Sequence, residues 1–444
     1  MWPEKLPFWR AYRLTRGNGI GALNARLFEE PIVANRFLWF RSFFVNDPDG
    51  IRRILRDNAA NYPKSPLLRR VLCPSLGEGL VTSEGETWRR HRRLMAPAFD
   101  RQNFAGYAPV MTGAALELAE EWARLPAGAE VDVSAAMARL TARVISRTMF
   151  SGDARGIEEL LGASMERVQA ASPPNLLDIL GFPERLAGFR RLRLVRRQIA
   201  PLNDAIRRLV AARRQASSPG DDLLGRLLSA RDEATGQGLT AQEIRDELVT
   251  IFMAGHDTTS LALTWTWYLL SQHPQVEEKL RAELRGALGG RAPTQADLEA
   301  LPYTRMVLEE SMRLYPPVFT ISSRQAQAED VVCGMKIPKG AFLFVMPWIL
   351  HRHRKLWDHP DRFDPERFSP ARSERRHRYA YLPFSAGPRV CIGAGFAMME
   401  GILILAALAQ RFRLRQVPGL QVEPRGLITL RAWPRLQMRL EPAG

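Results

Sequence analysis

Cys391 stands in the run Phe384-Ser385-Ala386-Gly387-Pro388-Arg389-Val390-Cys391-Ile392-Gly393, directly before an apolar pattern expected to be helical over 394–411. A thiol in that place meets the positive end of the helix dipole and unpaired backbone N–H groups, and both favour thiolate. The flanking glycines let backbone approach the sulfur closely, as an axial metal ligand would need. A free cysteine is more commonly buried and inert, so it is the Gly/Pro-braced loop, more than the sulfur, that carries the reading.

Three other groups of residues have spacing that suits chemistry. Ala254-Gly255-His256-Asp257-Thr258-Thr259 sets an acid beside an alcohol inside a long helical pattern, where threonine hydroxyls compete for backbone carbonyls and can locally open the helix. Glu310 and Arg313 share one helical face, and Arg367 follows later in Pro365-Glu366-Arg367-Phe368. A guanidinium–carboxylate pair suits a buried site in a way lysine would not. Trp88 and Arg92 lie four apart in Trp88-Arg89-Arg90-His91-Arg92, again on one face. Each of these alone is also common on ordinary surface helices.

The Phe384–Gly393 run resembles the haem-binding loop of the cytochrome P450 family, whose iron takes an axial cysteine thiolate. Phe384, Gly387, Arg389, Cys391 and Gly393 fall where that motif expects them. The resemblance covers nearly the whole chain. It implies haem b (iron protoporphyrin IX) as cofactor, with Cys391 as the metal ligand and Phe384, Gly393 and Ala254 against the cofactor. Trp88, Arg92, Arg324 and Arg389 are then the partners of its propionates. Glu310, Arg313 and Arg367 form a buried ionic triad beneath it that serves folding and cofactor retention. Asp257 and Thr258 lie over the distal face, organising water and delivering protons, and His256 is packing or surface. Val81, Ala254, Gly255, Val318 and Phe319 border the substrate, with core packing an equal reading for Phe319. The implied fold is mainly α with a small β region, a triangular helical domain plus a small sheet domain.

The elements that must position these residues read as follows. Short strands cover 37–45, and Asp47-Pro48 opens a helix to about Arg56. Residues 62–79 read as irregular, and 85–99 as helical. Long helices are expected at 106–124, 133–150, 155–171 and 186–214, with an apolar loop from Ser172 to Pro183. A helix over 241–273 is stopped by Pro274 and spans roughly 50 Å at 1.5 Å per residue. Another runs over 302–315, followed by strand-like runs over 318–350. Residues 357–378 read as irregular. The strand-rich parts are thus about 30–62 and 318–350 of a single haem-thiolate domain spanning 1–444. No βα alternation or GxGxxG loop suggests a nucleotide fold.

Composition narrows the function. The 444 residues carry 46% hydrophobic and 25% charged side chains, as a soluble globular enzyme does. Three cysteines make no disulfide framework, which suits a reducing cytoplasm. No apolar run is long enough for a signal peptide or membrane anchor. The net charge of +16 comes with no nucleic-acid motif. The reading is a monooxygenase that places one atom of dioxygen in a lipophilic small molecule. No reductase domain is read in the chain, so electrons are expected from a ferredoxin or flavodoxin served by an NAD(P)H reductase. Arg89, Arg90, Arg93, Arg375, Arg376, Arg378 and Arg389 are the expected basic docking face. Peroxide-driven or non-oxygenating chemistry on the same scaffold, or a non-catalytic haem sensor, are the alternatives.

Overall fold

Capping chemistry fixes the helices that carry the candidate site. The structure, a computed structural model, describes residues 13–15, 17–151, 189–215, 220, 222–233 and 235–443. The helices of seven residues or more among them are α1 (Pro66–Leu76), α2 (Gly85–Met95), α3 (Phe104–Ala123), α4 (Val133–Phe150), α5 (Phe189–Gln215), α6 (Leu223–Ser229), α7 (Ala241–Gln272), α8 (Pro274–Leu288), α9 (Pro302–Leu314) and α10 (Ala394–Ala409). The central helix α7 begins in a capping box. Thr240 Oγ1 accepts from Glu243 N at 3.2 Å while Glu243 Oε2 accepts from Thr240 N at 2.7 Å. It ends at His273, and Pro274 becomes the first residue of α8, since its missing N–H costs nothing at a helix start.

Two expectations change. Residues 62–79, read as irregular, contain α1: Ser65 Oγ accepts from Leu68 N at 3.4 Å, Pro66 opens the helix and Gly77, at φ +69°, closes it. The helix expected over 85–99 stops at Met95, and Pro97 turns the following residues into a 3-10 turn. The helix expected at 155–171 and the loop from Ser172 to Pro183 lie outside the described residues.

The strands are β1 (Ile32–Phe37), β2 (Phe40–Val45), β3 (Glu130–Asp132), β4 (Ile321–Gln325), β5 (Asp330–Val332), β6 (Met335–Ile337), β7 (Phe342–Val345), β8 (Phe412–Gln416), β9 (Glu423–Gly426), β10 (Leu430–Trp433) and β11 (Gln437–Pro442). The two strand-rich regions meet in one sheet of order β1-β2-β7-β4. There β2 runs parallel to β7 in the register Phe43↔Leu343. Lys64 forms an isolated bridge to Arg324 at its β4 edge. The strands after α10, which the sequence pattern left unread, make the sheet β3-β11-β8 and the hairpin β9–β10.

The helical core centres on α7, which packs against α4, α9 and α10 through residues such as Leu140, Leu263, Val307 and Ile404. No helix among the described residues is long and apolar enough to cross a membrane.

Within that core lies Glu400 of α10, 1% exposed. Burial pushes its carboxyl pKa up to about 8, and Thr259 offsets only part of the effect. The folded chain therefore keeps a proton that the unfolded chain sheds near pH 4.5. Stability is fully present below that pH, falls as pH rises, and has lost this contribution by about pH 8. Glu400→Gln should flatten the fall, by on the order of 3–5 kcal/mol, in urea unfolding from about pH 5 to about pH 9. An unchanged slope would mean that Glu400 is not held neutral.

Candidate active site

The loop before α10 is shaped by backbone that few residues tolerate. Gly387 sits at φ +70°, and a Cβ there would collide with the Leu55 carbonyl. Ser385 is also left-handed at φ 61°. Cys391 N donates to Phe384 O at 2.9 Å and closes the loop. The Cys391 thiol has open surface although protein surrounds it, so it looks into a recess rather than bulk solvent. Burial pushes its pKa up, against the opposing pull of the Gly393 N–H and the Arg92 charge. Coordination to a metal deprotonates a thiol in such surroundings. A Cβ on Gly393 would meet protein only at Phe99, 3.9 Å away, leaving room beside the sulfur. Phe384 is half-buried.

The cationic residues gather around one short stretch. Arg389 stacks over the Trp88 ring at 4.0 Å, donates to Ser83 O at 3.0 Å and pairs with Glu84. Lys64, which sequence reasoning missed, places its Nζ 3.1 Å from the same Ser83 oxygen and 3.0 Å from Leu80 O. Arg324 is buried on β4, and its Nε has no hydrogen-bond partner. Burial and the neighbouring Arg389 lower its pKa to about 10. Burial, followed by Arg389, lowers that of Lys64 to about 7. Three cations thus crowd around Glu84. Arg92 donates to Val390 O at 3.0 Å, next to Cys391. A donor set with surplus buried positive charge and an orphaned guanidinium nitrogen fits a dianionic group such as the two propionates of haem. Lys64 leaves no sequence signal beyond a lysine between Pro63 and Ser65.

Helix α7 supplies the opposite chemistry. Its middle is buried except for a strip in which Ala254 is exposed and Met253, Gly255 and Thr258 are half-exposed. Thr258 Oγ1 donates to Ala254 O at 2.6 Å. Gly255 lacks a Cβ where one would press on Ile145, 3.2 Å away, so it also serves the packing of α7 on α4. The Asp257 carboxylate is buried. Its Oδ2 accepts from Thr429 Oγ1 at 2.7 Å and its Oδ1 pairs with Arg431. His256 is buried beside the Phe252 ring, and desolvation lowers its pKa, which keeps it neutral. His91 ties α2 to α7 through Glu247 at 2.7 Å and Glu243 at 3.2 Å.

Glu310 and Arg313 are fully buried and bidentate at 2.6 and 2.8 Å. Arg367 Nε stands 3.4 Å from Glu310. Arg313 also donates to the carbonyls of His351, Pro360 and Arg362, pinning the 351–362 segment to α9. Val81 and Val318 are half-buried, while Phe319 is buried and packs on Gly19 and Gly426. Among the arginines of the expected docking face, Arg89, Arg93, Arg375 and Arg378 are exposed. Arg389 turns inward, Arg90 pairs with Glu243, and Arg376 stacks on Phe368 at 4.4 Å.

Comparison with known proteins places the chain in one family. The cytochrome P450 family model matches residues 8–429. Cyclooctatin synthase of Streptomyces melanosporofaciens is 38% identical over 89% of this chain and 85% of its own. Cyclooctat-9-en-7-ol 5-monooxygenase of the same organism is 35% identical, covering 85% and 81%. The crystal structure of the cytochrome P450DA haem domain superposes with a TM-score of 0.82 at 27% identity, over 93% of this chain and 90% of that one. The protein belongs to the cytochrome P450 family, a haem monooxygenase with a cysteine thiolate ligand that uses molecular oxygen.

Proposed function

We propose that this enzyme oxygenates a lipophilic small molecule, with electrons delivered by a separate ferredoxin or flavodoxin and its NAD(P)H reductase, in the cytoplasm. The observation that carries the site assignment is the cation cluster of Lys64, Arg324 and Arg389 around Glu84, together with a recessed thiol beside Arg92. Cys391 would hold the iron of haem b, and Trp88, Arg92, Arg324, Arg389 and Lys64 would take its propionates. When bound, the haem supplies the oxygen-activating chemistry, with electron density pushed from the thiolate.

The chain's own residues do the rest. Glu310, Arg313 and Arg367 pin the 351–362 segment to α9 and would serve folding and haem retention. Ala254 leaves the α7 strip open for substrate and oxygen. Thr258, whose hydroxyl donates to the Ala254 carbonyl, would hold water, and the Asp257 carboxylate would relay protons to it from behind. Val81 and Val318 are the apolar borders, in keeping with a lipophilic substrate. Arg89, Arg93, Arg375 and Arg378 are the exposed arginines left for an acidic redox partner, with Arg89 already paired to Glu86 and Arg93 to Asp232.

Cys391→Ser should remove the red-shifted Soret band of the reduced, CO-bound protein; persistence of that band would place the iron ligand elsewhere. Thr258→Ala should divert electrons to peroxide and lower product formed per electron by about tenfold or more. Coupling equal to wild type would show that protons arrive by another route.

A further inference from the structure

The Asp257 carboxylate joins α7 to the turn between β9 and β10. Thr429 Oγ1 donates to it at 2.7 Å and Arg431 pairs with it. About two helical turns along the same helix, Trp265 Nε1 donates to Leu430 O at 3.0 Å. From the other side Leu430 N donates to Pro317 O at 2.9 Å, next to Val318, and Leu427 N donates to Thr429 O at 3.0 Å. The turn is thus clamped between α7 and the 317–318 segment. Its two apolar residues, Leu427 and Ile428, are only half-buried.

A buried carboxylate is costly without partners. Two of those serving Asp257 come from a single hairpin, Thr429 from its turn and Arg431 from the start of β10, so the carboxylate and the turn move together. A change that shifts the turn strips partners from Asp257, and a change at Asp257 frees the turn. Coupling of this kind is reciprocal.

We propose that Thr429 and Arg431 are positioning residues that lock the β9–β10 turn to α7 through Asp257, so that the carboxylate assigned to proton delivery also fixes where Leu427 and Ile428 stand beside the substrate. This rests on the haem-site reading given under Proposed function. Shape selection and proton delivery then share one latch: a ligand that displaces the turn also disturbs the acid.

The test uses the haem-loaded full chain, with 4-phenylimidazole as an apolar, iron-ligating probe followed by its Soret shift. Amide exchange at Leu427–Leu430 is read in parallel. Asp257→Asn, Thr429→Val and Arg431→Met should each weaken the probe about fivefold or more and speed exchange of the turn about tenfold or more. The Asp257→Asn/Arg431→Met double variant should be no worse than its worse parent, and Arg431→Lys should recover wild-type behaviour to within about twofold. Additive losses in the double variant, or unchanged exchange in Arg431→Met, would overturn the latch. A wild-type chain that takes up no haem would overturn the haem reading instead, and amide exchange would still decide the latch.

Discussion

Surplus positive charge inside the protein is the constraint around which this molecule is arranged. Lys64 and Arg389 share the Ser83 carbonyl, Arg324 lies close by, and the carboxylate among them is that of Glu84. Removing such groups from water costs several kcal/mol each unless an anion repays it. The fold bears that cost with elements far apart in sequence. The edge of the four-stranded sheet brings in Arg324, its bridge partner Lys64 comes from the segment before α1, and Arg389 comes from the loop that carries Cys391. The haem propionates proposed to lie here would make this convergence favourable.

Helix α7 is the second organising element. One stretch of it leaves Ala254 and Thr258 open, while neighbouring side chains grip other parts of the chain. Thr141 Oγ1 takes the His256 carbonyl at 2.9 Å, Glu247 takes His91, and Asp257 takes the β9–β10 turn. A helix held from so many directions keeps the open strip fixed, which preorganised chemistry requires. The Glu310–Arg313–Arg367 group does the same for the 351–362 segment, where the arginines paired with one buried carboxylate donate to several loop carbonyls at once.

Much of this was legible in the sequence because it is local. The Cys391 loop, the acid–alcohol pair in α7, the three-residue spacing of Glu310 and Arg313, and the Pro stops after α7 and α9 are all short-range signals. The unread parts depend on long-range contacts. Lys64 has no motif and gains its character from Arg324 and Arg389. The partners of Asp257 lie 172 and 174 residues away, in a hairpin that left no pattern in the sequence. Glu400 interrupts an apolar helix and is told from a surface glutamate only by its burial. Helix α1 was hidden because Pro66, Pro74 and Gly77 read as breakers, although two of them mark its ends. The start of α10 is a local signal for the thiol, whereas the burial that opposes its ionisation comes from the folded surroundings.

The central claim is that the interior cations exist for a dianionic cofactor. Its most direct test compares reconstitution of the haem-free chain with haem and with haem dimethyl ester, which has the same ring and iron but no propionate charge. The account predicts that the ester binds about 100-fold more weakly or worse, as expected when partners are taken from buried charges. Equal affinity for the two would contradict it.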